Sequence, residues 1–329
     1  MDVNNLSRFK LAEYPTPIHF LKTLTTAFDG PDIYMKRDDL ISLGMGGNKV
    51  RKLEFLIGEA LEQRKDTLVT AGGIQSNHCR LTAASARRAG LDCHLVLNGV
   101  PPDTPNGNLL LDNLFGAHIH YCDRKERDSM LYQVADELAE NGKKPYVIPV
   151  GGSNSTGSVG YVDAMFELEI QLKEMNLTPD AIVFASSSGG TQAGLTLGAG
   201  ITGFKGQVLG ISIDQVKTGT ASFLPVLTRI VNETAKRIDS DIAMTESDFS
   251  LDCHYLGAGY AVPGDLEFDA IRDLARYEGI LLGPVYTARA MGALLDMIQK
   301  NVFKKDQSVL FWHTGGTPEL FAWAGDFKK

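Results

Sequence analysis

From Lys49 onward the apolar residues Leu53, Leu56, Ile57, Ala60 and Leu61 recur at helical spacing, predicting an amphipathic helix that runs to about Arg64. Counting back from Leu53 and Leu56 by four and seven places lands on Lys49, which therefore heads the stripe. Residues 11–18 hold two prolines two apart, which excludes helix and predicts an extended segment. Short apolar runs at 32–38, 66–73, 92–97, 117–122, 145–149, 180–185, 207–213 and 308–313 read as strands. Between them lie helical patterns at 76–89, 108–115, 128–140, 160–175, 191–200, 222–238, 265–278 and 288–300, with a less regular stretch after 238.

Strands alternating with helices over short links predict parallel sheets with right-handed crossovers. Two such runs meet near residue 160. The expected fold is α/β, with two open twisted parallel-sheet domains and a cleft between them. Residues 1–50 plus 161–329 would form the large domain, and residues 51–160 the small one.

Ligands of open parallel sheets bind beyond the C-terminal ends of the strands. Four unusual stretches fall there: the glycine loop before Lys49, Gly72–Asn77, Ala185–Thr191 and Thr314–Gly316. Lysine is seldom buried unless it is paired or reacted. At a helix start behind glycines, Lys49 suits a covalent Schiff base; the alternative is a head that snorkels past Leu53 to solvent. The loop Ser186-Ser187-Ser188-Gly189-Gly190-Thr191 offers backbone N–H groups, hydroxyls and a helix start, which suit one phosphate monoester or make a plain turn. Lys52, one turn beyond Lys49, reaches the same phosphate or is a solvated surface lysine. Ser76 is a helix cap in its own right, and with Asn77 it can grip a carboxylate. His78 beside them is a partner of that cap or a ligand-facing group, and it lacks companions for a metal. Tyr260 and Tyr286 sit in loops hemmed by Gly and Pro, either packed there or stacking on a ring and relaying a proton.

Composition narrows the class. With 329 residues, 43% hydrophobic and 22% charged, the chain is too long for one ordinary core and too apolar for disorder. A net charge of −8 with scattered Lys and Arg argues against nucleic acid as a partner. No apolar run is long enough to span a membrane, and the start lacks a signal-peptide core, so a cytoplasmic location is expected. The four cysteines form no CxxC pair, give no metal-ligand spacing and read as reduced thiols. Neither a Walker lysine motif nor GxGxxG is present, which disfavours a nicotinamide dehydrogenase on the same architecture.

Together, KRDD (36–39), GGNKVRKLEFL (46–56), IQSNH (74–78), the 185–194 loop, GYAVP (259–263), PVYT (284–287) and HTGG (313–316) resemble the pyridoxal phosphate enzymes of fold type II, the tryptophan-synthase-β type. Within them the chain resembles the branch of D-cysteine desulfhydrase and 1-aminocyclopropane-1-carboxylate deaminase. The resemblance implies pyridoxal 5'-phosphate carried on Lys49, with Asn77 near its 3'-oxygen. It implies that Lys52, Ser188, Gly189, Gly190 and Thr191 hold the phosphate and that Tyr286 stacks on the ring. Thr314 becomes a partner for the ring nitrogen. Ser76 and Asn77 face the substrate carboxylate, with His78 and Tyr260 beside the substrate. A homodimer acting on a small amino acid is also implied.

Deaminases of this branch carry a glutamate after the PVY tyrosine; here that position is Thr287. A neutral hydroxyl leaves the electron sink weaker, which favours β-elimination over opening a cyclopropane. The expected activity is conversion of D-cysteine to pyruvate, ammonia and hydrogen sulfide, with Lys49 or Ser76 as the base. L-Cysteate sulfo-lyase is the alternative, since Cys79 and Leu81 look closer to sulfonate-releasing relatives and Arg80 could serve a sulfonate or lie on a helix surface. The cyclopropane deaminase comes third. A pyridoxal phosphate storage protein without turnover is the non-enzymatic alternative. Further departures from the family pattern are Gly283 for the usual Asp, and Ala288-Arg289 for the usual Gly-Lys.

Overall fold

The computed structural model describes residues 3–214, 217–218 and 221–327. In chain order the strands are β1 (Ile18–Phe20), β2 (Asp32–Arg37), β3 (Thr67–Gly73), β4 (Asp92–Asn98), β5 (His118–Cys122) and β6 (Pro145–Val147). They continue with β7 (Ala181–Ser186), β8 (Gln207–Ser212), the short pair β9 (Lys217–Thr218) and β10 (Ala221–Ser222), β11 (Ser250–Asp252) and β12 (Ser308–His313). The helices are α1 (Lys22–Phe28), α2 (Lys49–Glu62), α3 (Asn77–Ala89), α4 (Gly107–Leu114) and α5 (Arg127–Glu140). After them come α6 (Ser155–Met175), α7 (Gly190–Thr202), α8 (Phe223–Arg237), α9 (Asp265–Glu278) and α10 (Thr287–Gln299).

Two sheets, each the centre of one domain, account for the larger strands. One has the order β1-β2-β12-β7-β8-β11 and the other β5-β4-β3-β6. All pairings in them are parallel except the edge pair, where Ile18 lies antiparallel to Lys36. The expected α/β fold of two parallel-sheet domains is therefore present, with one antiparallel edge strand added just past the two prolines.

The strand pattern follows from helices covering both faces. On β12, Val309 and Phe311 pack with α1, α9 and α10, while Leu310 and Trp312 pack with α6 and α7. In the smaller sheet, Leu68 and Leu95 meet α2 and α3, and Val69 and Val96 meet α5. Full burial of one such Leu or Val stabilises the fold by about 1.5–3 kcal/mol.

Helix α6 begins at Ser155, five residues before its predicted start, and Asn154 caps it by accepting from Gly157 N at 2.9 Å. Gly157 and Gly160 weaken the periodic signal. They are required by packing: a Cβ on Gly160 would lie 2.2 Å from the Arg51 carbonyl oxygen of α2. Helix α1 and strand β11 also carry no strong signal, being only seven and three residues long. Among the described residues no helix is long and apolar enough to cross a membrane, and all four cysteines are free thiols.

Candidate active site

The ends of β2, β3, β7 and β12 converge on one cleft. The loop after β2 is tied to the others through its backbone. Gly47 N donates to Asp38 O at 3.0 Å, and Asn48 N donates to Thr314 O at 2.9 Å. A Cβ on Gly315 would fall 2.6 Å from Gly47 Cα, so only glycine permits these loops to touch.

Beneath the loop lies an ionic cluster. The fully buried Asp38 accepts from Arg51 Nε and Nη2 at 2.9 Å, Tyr161 OH at 2.6 Å, Trp312 Nε1 at 2.8 Å and Thr16 Oγ1 at 2.9 Å. Burial works to raise the Asp38 pKa, but Arg51 and the other donors override it and hold it down at about 2. Arg51 also donates to Glu167, which pairs with the buried Lys36. This cluster clamps α2, and with it Lys49, to the larger sheet.

Lys49 is the first residue of α2 and is partly buried. Burial lowers its amine to about 8. Among the described residues its Nζ has no hydrogen-bond or ion-pair partner. Lys52 is wholly buried, which corrects the reading of a solvated surface lysine. Its Nζ donates to Gly151 O at 3.0 Å and Ser153 Oγ at 3.2 Å. Burial, and then the Lys49 charge, push its pKa far down, and no carboxylate compensates. An incoming anion would favour the protonated form of such an amine, so the site suits one.

The loop after β7 completes a cup around Lys52. Ser153 Oγ donates to Ser188 Oγ at 2.8 Å and accepts from Gly190 N at 3.1 Å, and Asn48 Nδ2 donates to Thr191 Oγ1 at 3.0 Å. Gly189, at φ 93°, turns the chain into α7. Ser153 is absent from the sequence-based set. Its signal was the glycine pair Gly151-Gly152 at the end of the β6 segment, which resembles the other strand-end glycines.

Across the cleft, Ser76 caps α3 as expected, its Oγ accepting from Cys79 N at 3.2 Å. Asn77 donates from Nδ2 to Glu319 Oε2 at 2.9 Å and accepts at Oδ1 from Asn108 Nδ2 at 2.9 Å. His78 does not partner the cap: its Nε2 lies 2.9 Å from Thr70 Oγ1, behind the helix start. Burial, with Lys49 and Lys52 adding, keeps it neutral. Arg80 is fully buried, which corrects the surface reading; Nη2 donates to Gly46 O at 2.8 Å while Nε and Nη1 lack partners among the described residues.

The hydroxyls of Tyr260 and Tyr286 are hydrogen-bonded to each other, with their rings edge-on at 6.0 Å. Burial raises Tyr260 to about 12 and also raises Tyr286 well above its ordinary value. The loop holding Tyr260 is anchored by the buried Arg289, which donates to Ile213 O at 3.1 Å, Gly259 O at 3.2 Å and Val262 O at 3.1 Å and pairs with Glu267. Thr287 Oγ1 accepts from Gly283 N at 2.9 Å and donates to Gly315 O at 3.2 Å. Thr314 Oγ1, by contrast, has no partner among the described residues.

Two parallel-sheet domains, with a lysine at a loop–helix junction and a glycine-lined cup at their strand ends, match the fold type II class. The chain belongs to the pyridoxal-phosphate-dependent enzyme family, whose model matches residues 9–315, and within it to the group of D-cysteine desulfhydrase and 1-aminocyclopropane-1-carboxylate (ACC) deaminase. It is similar to a solved structure described as an ACC deaminase homologue, with 34% identity over 98% of this chain and 96% of that one, at a TM-score of 0.90. A pyridoxal 5'-phosphate-dependent aspartate racemase shares the fold at 18% identity over 92% of this chain and 90% of that one, with a TM-score of 0.65. The cofactor is pyridoxal 5'-phosphate, and the cup around Lys52 fits its phosphate.

Proposed function

We propose that this enzyme is a carbon–sulfur lyase that eliminates sulfide from D-cysteine. When bound, pyridoxal phosphate supplies an electron sink for the bond pair released at Cα. Lys49 would hold the cofactor, Lys52 and residues 188–191 would take its phosphate with help from Ser153, and Tyr286 would stack on its ring. Thr314, whose hydroxyl has no other partner among the described residues, would meet the ring nitrogen. The Asn77 side-chain amide would meet the 3'-oxygen of the cofactor, and the backbone N–H groups at the start of α3 take the substrate carboxylate, with Ser76 alongside. Lys49, freed when the substrate amine takes its place, removes the Cα proton: its amine is lowered to about 8, while the Ser76 hydroxyl accepts from Cys79 N without a base in contact among the described residues. The Cβ–S bond breaks with its electron pair on sulfur, and the Tyr260 hydroxyl, still protonated at neutral pH, donates to that sulfur. Water then converts the released enamine to pyruvate and ammonia.

The observation that carries this reading is Thr287. Its hydroxyl is held between Gly283 N and Gly315 O, so this position supplies no carboxylate to strengthen the sink. L-Cysteate is the second reading, supported by the two unpartnered nitrogens of buried Arg80, one helical turn from Ser76. The test is a panel of D-cysteine, L-cysteine, L-cysteate and 1-aminocyclopropane-1-carboxylate, scored separately for sulfide, sulfite and keto acid. Sulfide from D-cysteine is expected. Sulfite from L-cysteate alone would move the assignment to sulfonate release, and keto acid from the cyclopropane alone would overturn elimination. A cytoplasmic homodimer belongs to the same reading and rests on the resemblance.

A further inference from the structure

Glu319 follows the HTGG stretch in a 3-10 segment and is completely buried. Its two oxygens have separate duties. Oε1 accepts from Val285 N at 3.2 Å and Oε2 from Asn77 Nδ2 at 2.9 Å. The room for this carboxylate comes from the bare position at 283, where a Cβ would lie 2.2 Å from Oε1.

The other side of Asn77 is held with equal definition. Asn108 Nδ2 donates to Gln75 O at 2.7 Å and to Asn77 Oδ1 at 2.9 Å. Gln75 O can only accept and Val285 N can only donate, so the two ends of the chain set the direction of every bond between them. The Asn77 carboxamide cannot flip without placing donor against donor at Asn108 and acceptor against acceptor at Glu319. One Nδ2 hydrogen of Asn77 is left for a ligand.

We infer that Glu319 is a positioning residue that fixes the orientation of the Asn77 amide, so that a donor and not an acceptor is offered to the 3'-oxygen of the cofactor. The inference rests on the proposed placement of Asn77 beside that oxygen. Both of its partners are donors, so both oxygens must accept; burial raises the group to about 8, above the usual carboxylate range, while the bonds from Val285 N and Asn77 Nδ2 oppose that rise. Glutamine at 319 would present an NH2 group to one of them, with the size of the side chain unchanged.

The experiment uses the purified holoenzyme and its Glu319→Gln and Glu319→Ala variants. The visible cofactor band is titrated against pH, and cofactor affinity is measured on reconstitution. Glu319→Gln is expected to move the midpoint of the band and to weaken cofactor binding about tenfold, nearly as much as Glu319→Ala. In an Asn77→Ala background, Glu319→Gln should add little. A Glu319→Gln protein with the wild-type midpoint and affinity would reduce Glu319 to packing and overturn the inference. Should that variant not fold, Asn108→Ser releases Asn77 from the other side; the same spectral change is expected, and an unaltered band overturns the proposal. A wild-type band that survives Lys49→Ala would instead refute the cofactor placement itself, which is a separate outcome.

Discussion

Lys52 and Gly190 meet so closely that a single added methyl group would fill the space between them: a Cβ on Gly190 would lie 2.7 Å from Lys52 Nζ and 2.9 Å from Ser153 Cα. One contact is the end of a flexible side chain, but the other is backbone. The glycine therefore keeps the cup open, and an anion bound there would meet the buried Lys52.

Gly190→Ala should consequently weaken cofactor binding at least tenfold, about 1.4 kcal/mol, with a small change in melting temperature. Equilibrium reconstitution followed by visible absorption measures it. Wild-type affinity would mean that the phosphate lies elsewhere.

Lys49 makes a pH-dependent prediction. Its amine, at about 8 in the folded protein, is below the ordinary 10.5 of lysine. The rate of cofactor capture by the apoprotein should rise with pH through about 8 and level off above it. The same shift means that the folded state binds fewer protons than the unfolded one between about 8 and 10.5, so apoprotein stability gains from this group as pH rises across that window. Lys49→Ala should abolish both the visible band and this dependence; stopped-flow absorption and pH-dependent melts check the two parts.

The two threonines separate structural from chemical roles. Thr287→Val leaves the buried Gly283 N–H and Gly315 carbonyl without their hydroxyl, and should cost about 1–3 kcal/mol in denaturant unfolding. Thr314→Val should alter the cofactor spectrum with little loss of stability. A spectral change confined to the Thr287 variant would reverse the assignment of the ring-nitrogen partner.

Asp38 supplies stability on the acid side. With its carboxyl held at about 2 against an ordinary 3.8, it contributes about 2 kcal/mol, fully present above pH 4 and lost as pH falls through 2. Asp38→Asn should remove that contribution and loosen the start of α2. Acid unfolding at a higher pH midpoint, together with slower cofactor capture, is the expected result. An unmoved midpoint would show that the cluster is dispensable.

Much of this protein is legible in short-range pattern. Period and run length place the principal strands and helices, because an element buried on one face or two must repeat at its own spacing. The strand-to-glycine-to-helix junctions at Lys49, Ser76 and Ser188–Thr191 are local features, and their motifs identify the cofactor. Helix α6 shows the limit: glycines needed for contact with α2 dilute the apolar pattern, so its first turn goes unseen.

What tertiary structure alone decided is the company each group keeps. Arg80 reads equally well as a surface or buried residue from its place in a helix, and only packing against the glycine loop buries it. Ser153 comes to Lys52 from 101 residues away, and Glu319 comes to Asn77 from 242. Sequence therefore determined the principal elements and the cofactor class, since each depends on neighbours within a turn or two. The folded chain decided which hydroxyls stay free, which charges lack a counter-ion and which way an amide faces, because those properties depend on partners that spacing along the chain does not specify.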